Sequence, residues 1–107
     1  MRYLIIVNTK DVETVWNTLR LACTALIRGH KVNIFLLGAG VEIDSINDKN
    51  FDIRKLWDRF LELGGEALSC GTCLRIRNKN SSELCPISSM DDLVTLSEEA
   101  DKVMVFS

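Results

Sequence analysis

Tyr3-Leu4-Ile5-Ile6-Val7 is apolar at every position and rich in branched side chains. A strand with one face in water alternates polar and apolar residues. An unbroken apolar run marks a strand buried on both faces, the condition of a parallel sheet covered by helices. After a polar turn, Asn8 to Asp11, the apolar residues change period. Val12, Val15, Trp16, Leu19, Ala22, Cys23, Leu26 and Ile27 fall at helical spacing. Thr9 or Asp11 can cap this helix and Gly29 can end it in a left-handed turn. Lys31 to Leu37 is again strand-like. Strand, helix and strand within so few residues make a βαβ unit, whose crossover is almost always right-handed.

The alternation continues. Gly38-Ala39-Gly40 leaves the second strand, and Val41 to Asn50 reads as a polar loop over the sheet end, with room for one helical turn. Asn50 or Asp52 caps a helix that buries Ile53, Leu56, Trp57, Phe60, Leu61 and Leu63, and Gly64-Gly65 stops it. Glu66 to Ser69 is a third strand. Cys70 opens a short helix running to about Arg77. Asn78 to Ser82 is a turn-rich loop, and Leu84 to Ile87 is a short strand that Pro86 confines to an edge or an end. Ser89 and Asp92 form a capping box with Asp in the place of Glu or Gln. The helix behind it carries Leu93, Val94, Leu96 and Ala100, and Lys102 to Phe106 is the last strand. The expected fold is α/β: a single three-layer α/β/α domain over residues 1–107, with a mostly parallel sheet of about five strands.

Composition narrows the function. Thirteen basic and 15 acidic side chains give a net charge of −2. That balance gives no electrostatic basis for binding nucleic acid or an anionic membrane. No apolar run reaches the ~20 residues of a membrane span. The first apolar run is followed by a polar turn without a small-residue cleavage site, so it reads as a strand and not an export signal. The expected location is the cytoplasm, where Cys23, Cys70, Cys73 and Cys85 stay reduced and a Cys pattern points to catalysis or metal binding.

In open parallel sheets ligands bind beyond the carboxyl ends of the strands. Those ends fall at Asn8-Thr9, Gly38-Ala39-Gly40, Cys70-Gly71, Cys85-Pro86 and Ser107. Cys70 and Cys73 are three positions apart where a strand gives way to a helix, so they share a face. A thiol there meets unpaired N–H groups and the positive end of the helix, which favour the reactive thiolate. Cys70 is the expected exposed, attacking thiol and Cys73 its partner. Gly71 allows close backbone approach. The bland alternative is that both are small core residues. Zinc is disfavoured: three cysteines on this edge lack a fourth ligand, because His30 lies at the opposite edge of the sheet and Cys23 on the apolar face of the first helix. No resident metal or cofactor is expected. Gly38-Ala39-Gly40 lacks the Lys-Ser/Thr and the full glycine pattern of a nucleotide loop, so it is a tight strand exit. Trp16 and Trp57 sit among aliphatic residues and read as core.

Gly38-Ala39-Gly40-Val41 and Ala67-Leu68-Ser69-Cys70-Gly71-Thr72-Cys73-Leu74-Arg75-Ile76-Arg77 resemble the DsrE/DsrF-like family, which includes sulfur-relay proteins. The order of elements matches over nearly the whole chain. The resemblance implies homo-oligomers such as trimers or hexamers, sulfur donor and acceptor proteins as partners, and a loop cysteine, here Cys70, that carries sulfur as a persulfide. Where the family often has Arg-Gly after the short helix, this chain has Arg77-Asn78, and Asn also tolerates a left-handed turn. The leading expectation is a sulfur carrier of sulfurtransferase-like chemistry on Cys70 and Cys73. The N–H groups of Gly71, Thr72, Gly38 and Gly40 would hold the sulfur anion, with the Thr72 hydroxyl as an added donor. Two other expectations stand beside it: a non-catalytic oligomeric module for a small anion or peptide, and a thiol–disulfide oxidoreductase.

Overall fold

A computed structural model describes residues 1–80, 82 and 84–107. Five strands form one all-parallel sheet: β1 (Arg2–Val7), β2 (Lys31–Leu36), β3 (Glu66–Cys70), β4 (Ile87–Ser88) and β5 (Lys102–Phe106). Their order across the sheet is β4-β3-β2-β1-β5. Ile5 pairs with Ile34 on one side and Met104 on the other. Neighbours Leu4 and Ile5 point to opposite faces of β1 and are 1% and 0% exposed, so the apolar run is buried on both faces. β5 has the same apolar look but lies at the edge, where Val103 and Val105 are exposed.

Helix α1 (Val12–Ile27) packs on α2 (Ile53–Glu62). Each begins at an Asp whose carboxylate accepts a backbone N–H three residues on: Asp11 from Thr14 and Asp52 from Lys55, both at 3.0 Å. Each such cap stabilises by about 1 kcal/mol. Gly29 and Gly64 follow the two helices at φ +90° and +95°. On α2 the buried stripe is Ile53, Trp57 and Phe60; Leu61, expected inside, is exposed, and Leu56 and Leu63 are half-buried. The stripe is narrow because α2 meets α1 and the sheet along one seam and turns its flank to water. The Phe60 ring packs so closely on Gly65 that any Cβ there would collide with it.

Two short helices complete the chain: α3 (Gly71–Ile76) and α4 (Met90–Glu99). Right-handed crossovers set α1 and α2 on one face. They set α4, which returns across the sheet from β4 to β5, on the other. That gives three layers. The Ser89 hydroxyl caps α4 by accepting Asp92 N–H at 3.2 Å. Only Leu93 of α4 is fully buried; Val94, expected on its inner side, is exposed.

Two expectations need correction. Val41 to Asn50 is not a polar loop throughout: a 3-10 helix runs over Gly38–Ser45 and starts at the strand exit itself, with Val41 and Ile43 both 2% exposed. These two side chains are short-range anchors that tie the segment to the core. β4 covers Ile87–Ser88 and not Leu84 to Ile87, so Cys85-Pro86 sits at its amino end and not its carboxyl end. The loop expected over Asn78 to Ser82 includes Ser81, which lies outside the described residues, as does Glu83.

Candidate functional site

β3 ends and α3 begins on the same residue. Cys70 is the last residue of the strand and the N-cap of the helix, with extended backbone angles (φ −66°, ψ 117°). Its Sγ accepts the N–H of Cys73 at 3.4 Å, the bond that Ser or Asp makes at other helix starts. The two cysteines therefore meet at the first turn of α3. Gly71 is buried: a Cβ there would press on Ile87 at 3.0 Å and on the Ser88 carbonyl at 3.3 Å. Its lack of a side chain is what lets β4 close against the junction. α3 ends at Arg77, and Asn78 takes the left-handed conformation at φ +58°.

Accessibility reverses the expected order of the pair. Cys70 is 2% exposed and belongs to the buried core with Leu74, whereas Cys73 packs against that core from outside and is partly open. The thiol expected to be exposed is therefore the inner one. Burial holds the Cys73 thiol above its ordinary pKa, and the neighbouring Cys70 thiol adds to this. The Gly38 backbone N–H and the Arg77 guanidinium act on Cys73 in the opposite sense.

The 3-10 helix is the roof over this junction. Arg77 Nε donates to Glu42 Oε1 at 2.9 Å, and its Nη1 donates to the Cys73 carbonyl at 3.2 Å. Lys10 lies 3.8 Å from the same Glu42 oxygen. Lys79 lies 3.9 Å from Asp44 Oδ1. Three segments at the sheet's carboxyl edge thus meet: the turn after β1, the turn after β2, and α3. Gly38, at φ +53°, and Gly40 are both needed for this. A Cβ on Gly40 would strike the backbone carbonyl of Val7, and one on Gly38 the Asn8 carboxamide. The Gly40 N–H is already given to Leu37 O at 2.8 Å, so the role of Gly40 is close approach. Thr72 is exposed, and its hydroxyl accepts from Arg75 Nη2 at 3.2 Å, away from the expected contact with the sulfur.

Cys85 contacts the strand residue that precedes the pair. Its Sγ is 3.1 Å from Ser69 Oγ, a hydroxyl that is 0% exposed. Burial pushes the Cys85 thiol up, with the Asp44 carboxylate adding to the rise, while Ser69 and Ser82 pull it down. Cys23 packs in the core under α1, far in sequence from the others, and its Sγ contacts the Leu56 carbonyl at 3.9 Å. All four cysteines are free thiols. His30 stacks on Tyr3 at 5.1 Å, at the amino ends of the strands. Trp57 is core, 2% exposed. Trp16 is half-buried, with the Phe51 ring edge-on at 5.1 Å and the Arg20 guanidinium 4.5 Å from its centroid.

Sequence reasoning did not single out Ser69 or Glu42. A Ser flanked by apolar strand residues next to a Cys was the signal for the first. Glu42 has no local signal, because its partner Arg77 is 35 positions away.

Residues 1–106 match the DsrE/DsrF-like family. The chain belongs to this family. The uncharacterised protein MJ0989 of Methanocaldococcus jannaschii is 32% identical over 100 residues, 88% of each chain. MK0008 of Methanopyrus kandleri is 30% identical over 100 residues, 88% of this chain and 83% of that one. Among solved structures, the YchN protein of E. coli superposes with a TM-score of 0.82 at 20% identity, over 99% of this chain and 100% of that one. BT1422 from Bacteroides thetaiotaomicron superposes at 0.77 and 20% identity, over 98% and 94%. The DsrE-like fold expected from the motifs is therefore the fold of this protein, and family membership supports a sulfur-relay role at the level of the family. No helix among the described residues is long and apolar enough to cross a membrane.

Proposed function

We propose that this protein is a sulfur carrier: a sulfane sulfur is taken from a donor's persulfide, held on Cys70 as a persulfide and passed to a partner protein. The observation that carries the reading is the thiol pair at the β3–α3 junction. Cys70 Sγ already accepts the backbone N–H of Cys73 at 3.4 Å. A persulfide at that point has this donor beside it, an interaction that strengthens when the acceptor is charged. The N–H of Gly38 and the guanidinium of Arg77 add favourable field at Cys73. Gly71 and Gly40 shape the cradle through close packing.

The carrier works in the cytoplasm, whose reducing conditions keep four thiols free. It assembles as a trimer or hexamer. Exposed apolar side chains, among them Met90 and Val94 on α4 and Val103 and Val105 on the edge strand β5, are available for such contacts. Donor and acceptor are proteins, matched to the site by sulfur chemistry and not by charge.

The test is mass spectrometry after incubation with a sulfane donor. A gain of one sulfur atom, mapped to the Cys70–Cys73 peptide and lost when both cysteines are replaced by Ser, supports the reading. A protein that gains no sulfur under conditions that load a control thiol sinks it. One observation favours a second reading, a non-catalytic binding module: Cys70 is 2% exposed, as an inert core thiol is. Alkylation of the pair only well above pH ~8.5, without sulfur uptake, would favour the module.

A further inference from the structure

We propose that sulfane sulfur is first captured on Cys73 and is then handed inward to Cys70. This rests on the reading that the pair carries sulfane sulfur, and it assigns the order in which the two thiols act.

The argument is one of access. Transfer of a sulfane sulfur requires the attacking sulfur to approach the outer sulfur of the donor in line with the bond that breaks. Cys70 is 2% exposed, with Leu74 at 1% and Ser69 at 0% around it, and its Sγ is turned toward the first turn of α3. A protein-borne or small persulfide cannot line up on that atom without opening the core. Cys73 stands one turn further along, at the outer side of the same core, with its backbone N–H bonded to the Cys70 sulfur at 3.4 Å. Its outer neighbours Thr72 and Arg75 are exposed. Cys73 is thus the thiol a donor reaches, and Cys70 the thiol that Cys73 reaches.

Both steps balance. In the first, the Cys73 thiolate attacks the outer sulfur of an alkyl persulfide, RSSH. The new bond is Cys73 S–S, the donor S–S bond breaks, and RS⁻ leaves and takes up the proton to become RSH. In the second, Cys70 attacks the outer sulfur of the Cys73 persulfide. The Cys70 S–S bond forms, the Cys73 S–S bond breaks, and Cys73 returns to the thiol. No net oxidation occurs in either step. The sulfur is stored behind Cys73, and it leaves for a partner by the reverse of the second step, through Cys73. A competing branch exists: attack on the inner sulfur would expel hydrogen sulfide and leave a Cys70–Cys73 disulfide.

The experiment uses the full chain, Cys73→Ser, Cys70→Ser and Cys70→Ala, loaded with glutathione persulfide, quenched by alkylation at successive times and mapped by mass spectrometry. Cys70→Ala is included because a hydroxyl at a buried position can unfold the chain; circular dichroism checks each variant. In the unmodified protein the extra sulfur appears on Cys73 first and on Cys70 later. Cys73→Ser slows loading of Cys70 by about tenfold or more, as expected for a buried thiol. The Cys70 variants accumulate the sulfur on Cys73. Cys70 loading at an undiminished rate in Cys73→Ser overturns the proposed order while leaving the carrier reading intact. A Cys70–Cys73 disulfide with released sulfide, in place of a Cys70 persulfide, overturns the second step. Sulfur on neither cysteine of the unmodified protein overturns the carrier reading itself.

Discussion

Arg77 Nε donates to Glu42 Oε1 at 2.9 Å, and the same guanidinium reaches the Cys73 carbonyl. One side chain therefore ties the roof after β2 to the helix that carries the thiol pair. Both partners are about a quarter exposed (27% and 25%), so solvent screens the attraction. A double-mutant cycle with Arg77→Ala and Glu42→Ala should give a coupling of about 0.5–1 kcal/mol by urea unfolding. It should shrink in molar salt, where screening reaches a few ångströms. No coupling at low salt would mean that the roof is held by Val41 and Ile43 alone.

Gly38→Ala and Gly40→Ala should differ, although both glycines lie in one tripeptide. The new methyl at Gly40 meets the Val7 carbonyl, which is fixed in the sheet. A cost of about 2 kcal/mol or more follows, read as a drop in the urea midpoint. At Gly38 it meets the Asn8 carboxamide, which can rotate away, leaving the left-handed backbone as the main cost, about 1 kcal/mol. A Gly40→Ala variant as stable as the parent would show that the strand exit is looser than described.

Ser69→Ala removes the hydroxyl that pulls the Cys85 thiol pKa down. The Cys85 pKa should then rise further, so its alkylation profile moves to higher pH. Stability should fall by about 1 kcal/mol, since the partly buried Cys85 sulfur loses its partner at 3.1 Å. A profile that moves to lower pH would contradict this contact. Mass spectrometry of the alkylated Cys85 peptide reads the shift directly.

Burial raises the thiol pKa of Cys23, Cys73 and Cys85 in the folded protein. The folded state thus keeps thiol protons that the unfolded chain releases. Their stabilising effect is complete below about pH 8.5, the ordinary thiol value, and is lost as pH climbs toward the raised values. Urea midpoints should decline above that point. A variant with Ala at all three positions should decline less, because it lacks these three thiols. Parallel curves for the two would remove the thiols as the cause.

Much of this could be read in the chain before folding. Caps at Asp11, Asp52 and Ser89, the left-handed Gly29 and the strand-helix period depend on residues a few positions apart. Their physics is local. So is the N-cap at Cys70, which needs only Cys73 three residues on. The parallel sheet followed from the unbroken apolar run in β1, which has no other economical place than between two helical layers.

Other features depended on what lies across the fold. β1 and β5 look alike in sequence, yet Leu4 and Ile5 are buried while Val103 and Val105 are exposed, because strand order puts β5 at the edge. The 3-10 helix was hidden because only Val41 and Ile43 anchor it and its polar residues find partners elsewhere, as Glu42 does in Arg77. Above all, spacing put Cys70 and Cys73 on one helical face but gave no depth. Depth is set by Ser69, Leu74 and β4 closing around the junction, contacts between residues that meet only when the sheet assembles. Local sequence fixed where the two sulfurs sit along the chain; the packing of distant strands decided which of them faces out.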